Sequence, residues 1–300
     1  MGLVFFLWWL SYNPVGDFAA ALPGADNRPP RADSALEQVS IGELFFDAGG
    51  TITGLRESWP RFRGADFDNT SKSPVKLIDG FAGRVPPIVW SVELGEGYAG
   101  AAIWKGAVYV LDYDELRRSD VLRCFNLADG REIWQRGYRV TVMRNHGMSR
   151  TVPAVTEKYV VTIGPRGHVM CVARETGDLI WGLDLAREYG TELPQWHTAQ
   201  CPLIDNDHAI IAPGGKALMI AVDCATGAKI WETPNEKGWK MSHSSIMPMN
   251  FGGRKMYVYC AVGGVVGISA DEPDAGPLLT NSAMAGSRFR LETTADSIPD

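Results

Sequence analysis

Three histidines recur in similar company. Met143–Arg150 reads M-R-N-H-G-M-S-R, Pro194–Gln200 reads P-Q-W-H-T-A-Q, and Trp239–Ser245 reads W-K-M-S-H-S-S. In each, a His stands five to seven residues before a proline: His146 before Pro153, His197 before Pro202, His243 before Pro248. Imidazoles can bind a metal or, when protonated, an anion. With Arg144, Arg150 and Lys240 close in sequence, a convergence of the three would form a polar or anion-binding mouth. The competing reading is a rim of polar residues capping strand ends, because repeats share residue types at equivalent positions. The spacing matches no established metal-ligand pattern. Asn145, His146, Trp196, His197, Ser242 and His243 are therefore candidates for one ligand face, without an assigned catalytic or metal role.

Other chemistry is thin. The five cysteines are Cys124, Cys171, Cys201, Cys224 and Cys260. They contain neither an adjacent pair nor C-x-x-C, which disfavours a zinc site or a disulfide framework. Asp112–Glu115 is an acidic stretch that reads as a solvated turn rather than a Ca²⁺ loop. No G-x-S-x-G, H-E-x-x-H or phosphate loop is present. The net charge of −6, with no basic cluster, disfavours nucleic acid as a partner.

The elements that must position these loops show in an internal repeat. A-D-G-R-E-I-W ends at Trp134, E-T-G-D-L-I-W at Trp181 and A-T-G-A-K-I-W at Trp231. P-P-I-V-W ends at Trp90, and D-A-G-P-L-L-T keeps Gly276 but has Thr280 in place of the Trp. Runs of β-forming residues between these signatures give four short strands per unit. A four-stranded sheet of this size cannot bury both faces alone, and stacking its neighbours radially gives a β-propeller. Gly130, Gly177 and Gly227 answer a turn that needs positive φ. Trp134, Trp181 and Trp231 answer the gap between blades, which one large ring can fill.

The stretch A-V-D-C-A-T-G-A-K-I-W, with Ala221, Asp223, Thr226, Gly227 and Trp231, resembles the tryptophan-docking motif of pyrroloquinoline-quinone (PQQ) repeat propellers. W-P-R-F-R-G-A-D at Trp59–Asp66 resembles the opening of bacterial quinoprotein-like propellers of the BamB-like kind. The resemblance implies an all-β fold of four-stranded antiparallel blades, here an incomplete ring. A small closed ring with Trp90 on the closing strand is the other reading. Full units are expected at 98–135, 150–182 and 198–232, with a fourth that fails in its last strand. The organisation expected is an N-terminal hydrophobic segment and linker over 1–55, repeats over 56–280, and an unstructured tail over 281–300. A helix is allowed only at Leu185–Tyr189.

For function the resemblance implies a non-catalytic scaffold of the bacterial cell envelope with a protein or polymer partner and no cofactor. The alternative it implies is a quinoprotein oxidoreductase using PQQ with Ca²⁺. Enzymes of that subgroup carry Glu, Asn and Asp ligands, a general-base Asp and usually an adjacent Cys pair, and no residue here is assigned to those roles. Met1–Leu10, M-G-L-V-F-F-L-W-W-L, is too short to span a bilayer. It reads as a signal-peptide core, as the end of a longer anchor, or as an apolar run packed on the domain. The first two imply a periplasmic or membrane-anchored protein, with possible membrane association through this segment.

Overall fold

The computed structural model describes residues 2–11, 38–81, 83, 85–144, 147–271, 273, 277–282 and 292–293. It divides into two units, Met1–Glu37 and Gln38–Asp300. In the first, α1 (Gly2–Ser11) exposes Phe5, Phe6, Trp8 and Trp9. Among the described residues no helix is long and apolar enough to cross a membrane.

The second unit is a series of antiparallel β-sheets. Blade 1 consists of β3 (Ala102–Trp104), β4 (Ala107–Asp114), β5 (Ser119–Asn126) and β6 (Glu132–Arg139). It is flanked by β1 (Leu44–Asp47) on the outer edge and β2 (Ser58–Trp59) on the inner edge, in the order β1-β6-β5-β4-β3-β2. Blade 2 is β7 (Ala154–Val155), β8 (Tyr159–Ile163), β9 (His168–Ala173) and β10 (Leu179–Asp184). The helix α2 (Leu185–Tyr189) follows, capped by Asp184 at its start and by Gly190 in the left-handed conformation at its end. Blade 3 is β11 (Leu203–Asp205), β12 (His208–Ile211), β13 (Ala217–Asp223) and β14 (Lys229–Pro234). Blade 4 is β15 (Met247–Phe251), β16 (Arg254–Ala261), β17 (Gly264–Ser269) and β18 (Pro277–Ser282), extended by β19 (Glu292–Thr293). No core cluster joins the fourth sheet to the first, so the ring is incomplete among the described residues.

The blades meet through apolar faces set by the two-residue period of their strands. Tyr109, Leu111, Leu122 and Cys124 of blade 1 pack on Val155, Val160, Met170 and Val172 of blade 2. Ile163, Val169 and Cys171 meet Ile204, Ile211 and Ile220, and Leu218 and Ala221 meet Tyr257, Tyr259 and Ile268. An indole docks on each of the first three glycine turns. Trp90, Trp134 and Trp181 donate Nε1–H to the carbonyls of Leu127 (2.9 Å), Glu175 (3.1 Å) and Cys224 (3.0 Å) of the following turn. They lie over Gly130, Gly177 and Gly227, whose φ angles are +72°, +71° and +74°. A Cβ on Gly177 would stand 2.6 Å from the Trp134 ring, so this glycine is required by both its backbone and its neighbour.

Four expectations change. Residues 38–55 are not linker: β1 pairs with β6, and the carbonyl of Thr51 accepts from Asn126 (2.7 Å). Residues 60–101 carry no strand among the described residues, and Trp90 reaches its glycine without a sheet behind it. The fourth unit does have its last strand, because β18 pairs with β17 from Gly264↔Ser282 to Ile268↔Pro277. Asn281 and Ser282 thus lie in β18, and Glu292–Thr293 pair with it, while the rest of 281–300 and Gly276 lie outside the described residues. Backbone pairing, which needs no special side chain, completes the blade where the Gly-Trp signature lapses.

Candidate functional site

The blade-to-blade connections 140–153, 190–202 and 235–246 leave the outer strands and enter the next blade's inner strand, so their tips gather at one end of the sheets. Asn145 and His146 lie outside the described residues. The other four candidates are brought together. His197 Nε2 donates to the Met143 carbonyl (2.9 Å), and His243 Nε2 donates to the His197 carbonyl (3.1 Å). Each histidine therefore reaches back to the preceding connection and stitches neighbouring blades. The Trp196 ring, 43% exposed, stacks on the His243 ring with centroids 6.3 Å apart and planes 8° from parallel. Ser242 donates twice: its N–H to Tyr259 Oη (2.8 Å) and its Oγ–H to the Cys260 carbonyl (2.5 Å).

The charge of this face is largely spent. Arg144 pairs with Glu96 and Lys240 with Glu192 (2.6 Å), while Arg150 lies over the Tyr98 ring. Burial, followed by the nearby Arg150 and Arg166, holds His197 below the usual imidazole range despite its bond to Met143. The loop tips therefore present an aromatic and imidazole surface on which Arg144 and Lys240 are paired with carboxylates.

The central axis carries its own chain. From β2 the backbone crosses the inner strands: Val155 N–H donates to the Pro60 carbonyl (2.8 Å), Arg61 Nη1 donates to the Ile204 carbonyl (3.2 Å), and Phe67 packs against the core between blades 3 and 4. Burial lowers the Arg61 pKa against the attraction of Asp205 and Asp66. The W-P-R-F-R-G-A-D stretch thus ties three blades together, a role its sequence did not disclose.

Sequence reasoning also missed a buried polar group at the first joint. Asp120 is 1% exposed and accepts from Tyr138 Oη (2.7 Å). His168 stands edge-on to the Tyr138 ring (5.1 Å) with Asp184 3.6 Å away. Burial pushes the Asp120 carboxyl up to about 7. Its only sequence signal is that Asp120 and His168 open equivalent third strands. The acidic stretch is also not a solvated turn throughout: Asp112 is buried in β4 against Arg123 (3.1 Å), and Tyr113 is buried beside it.

PQQ with Ca²⁺ needs a planar slot, oxygen ligands for the cation and a base. Among the described residues no group of three or more His, Cys, Asp or Glu is placed to hold a metal. The Trp90, Trp134 and Trp181 rings are covered by their glycine turns, and Cys171 and Cys224 are buried between blades. These residues do not fit that group.

The model of one family, described as outer membrane protein assembly factor BamB, matches residues 87–189 and 117–276. No curated protein matches the chain. Among solved structures, BamB from Moraxella catarrhalis is 14% identical over 68% of this chain and 58% of that one, with a TM-score of 0.43. The quinohemoprotein alcohol dehydrogenase ADHIIG from Pseudomonas putida HK5 is 19% identical over 63% of this chain and 34% of its own, with a TM-score of 0.41. That from Comamonas testosteroni is 18% identical over 66% and 39%, with a TM-score of 0.42. The chain spans less than two thirds of the length of each. Because the family match runs from residue 87 to 276 of 300, the chain belongs to the PQQ-repeat β-propeller family described as outer membrane protein assembly factor BamB.

Proposed function

We propose that this chain is a non-catalytic binding or scaffold propeller of the bacterial cell envelope. Its partner is a protein or polymer, received on the connection face that includes Asn145, His146, Trp196, His197, Ser242 and His243. The observation that carries this reading is the Trp196–His243 stack on loops stitched by the His197 and His243 bonds. A rigid, exposed aromatic pair loses little entropy on contact, which is the property of an anchor for a partner. Membership of a family described as outer membrane protein assembly factor supports an envelope location, periplasmic or membrane-anchored, and the exposed aromatics of α1 support membrane association through that segment. No cofactor enters this reading.

The test is binding of solubilised envelope components to the immobilised chain and to a Trp196→Ala, His243→Ala double variant. Selective capture by the unmodified chain, lost in the variant with the fold intact, supports the reading. PQQ- and Ca²⁺-dependent dye reduction by the unmodified chain overturns it in favour of an oxidoreductase.

A further inference from the structure

Beside the docked indoles the joints repeat a second contact. Cys124, Cys171 and Ala221 are the cross-strand partners of Trp134, Trp181 and Trp231. Each is buried in the joint with the following blade. The residue facing it across the joint stands three positions before the next docking glycine. At the first joint that residue is Arg174, whose carbonyl accepts from Tyr109 Oη (3.4 Å), and Tyr109 is the residue paired with Cys124 between β4 and β5. At the second joint it is Cys224, whose carbonyl accepts from Trp181 Nε1 (3.0 Å) and from Cys171 Sγ (3.5 Å). The same geometry thus sets a thiol near an arginine at one joint and a thiol against a second cysteine at the next.

Cys171 and Cys224 are both free thiols and both 0% exposed. Their side chains also interact directly: hydrogen bonding with the Cys224 thiol, then burial, raises the Cys171 thiol above its ordinary range. Among the described residues no other core cluster holds two cysteines.

We propose that Cys171 and Cys224 are a disulfide site, linking β9 of blade 2 to the turn after β13 of blade 3. The bond forms by exchange with a disulfide oxidant: one cysteine thiolate attacks the oxidant's S–S bond, and the second displaces the resulting mixed disulfide. The two cysteines give up two protons and two electrons, and the oxidant leaves as two thiols. Loss of the Cys171 proton strands no acceptor, because the Cys224 carbonyl keeps the Trp181 N–H. A buried thiol that resists ionisation exchanges slowly. The step therefore belongs to folding, before blades 2 and 3 close over the pair, and the same burial afterwards keeps reductants out. The bond spans 53 residues, so it also restricts the unfolded chain. The envelope location proposed above is a compartment that supplies such an oxidant, while the pairing itself rests on the joint and not on that reading.

The test is to unfold the chain in urea with reductant, refold it in mixtures of reduced and oxidised glutathione, and map its peptides by mass spectrometry without reduction. The expected product is a Cys171–Cys224 linked peptide as the main crosslink, two hydrogens lighter than its separate parts. Its Tm should exceed that of the chain refolded in reductant by at least about 5 °C, with far-UV circular dichroism unchanged. Cys124→Ala should keep both the link and the rise, whereas Cys171→Ala and Cys224→Ala should each lose both. The map is read on the unmodified chain, so it does not depend on how the variants fold, and no readout involves the partner. Absence of the link at every glutathione ratio, glutathione adducts alone, or a linked chain with altered circular dichroism or no rise in Tm overturns the proposal.

Discussion

Trp134 and Trp90 make the same joint from different surroundings. Trp134 lies on β6, is 2% exposed, packs 6.0 Å from Tyr109 and seats on Gly177. Trp90 lies outside any strand and is half-buried, yet it seats on Gly130 with an equivalent indole bond. The docking geometry therefore belongs to the indole and the glycine turn, while the sheet behind supplies the burial. Trp134→Ala should cost about 3–5 kcal/mol, as for a large buried aromatic, and Trp90→Ala about half that, in proportion to the smaller area removed from water. Urea unfolding measures both. Equal losses would mean that the turn contact alone sets the energy.

The glycine side sharpens the same comparison. Gly177 and Gly190 both have positive φ, +71° and +67°, but a Cβ on Gly190 meets nothing within 4 Å. Gly190→Ala should cost only the left-handed strain, about 1–2 kcal/mol. Gly177→Ala adds the displacement of the Trp134 ring, for a total of about 2–4 kcal/mol. Similar losses at the two sites would show that the indole moves aside freely.

The same contrast marks what was legible in the sequence. The Gly-Trp signatures located three blade joints because each is a local turn plus one ring at a fixed distance. The loop histidines were found because they share the repeat's phase. Blade 4's last strand was missed because its pairing depends on backbone groups and not on a Trp at position 280. The crossing of Pro60, Arg61 and Phe67 over the inner strands was missed because it links residues about a hundred or more positions apart with no periodic mark. The Asp120–Tyr138–His168 group was missed because a polar residue at a strand start ordinarily reads as exposed.

The first two joints also differ in polarity, and that difference has a pH signature. The joint between blades 1 and 2 buries Asp120 with Tyr138, while the corresponding strand end in blade 3 pairs Ala217 with Pro234. The folded-state pKa of Asp120, about 7, lies above its ordinary value near 4. The folded chain therefore holds this proton longer than the unfolded chain. The stability it contributes is complete below about pH 4 and is lost as pH rises through about 7. Asp120→Asn, which still accepts from Tyr138, should leave a flatter Tm–pH profile and a higher Tm than the unmodified chain at pH 8. Parallel profiles for the two proteins would show that Asp120 ionises normally.

The smallest effect is expected at the face proposed for binding, and it separates binding from stitching. His197 and His243 each donate one hydrogen bond to a backbone carbonyl of the preceding connection. A hydrogen bond of this kind contributes about 0.5–1.5 kcal/mol net. His197 is half-buried, so its bond lies toward the upper end of that range. His243 is exposed, so water replaces its ring at the His197 carbonyl and His243→Ala should cost about 0.5 kcal/mol or less. Its ring is nonetheless half of the stack with Trp196, and removing it takes away the support of the exposed indole. His243→Phe keeps a flat ring but not the hydrogen bond. If the face binds through the aromatic pair, His243→Ala should weaken partner binding while His243→Phe restores it, with Tm nearly constant in both. If the histidine serves only to stitch blades, the two variants should lose the same small stability and bind alike.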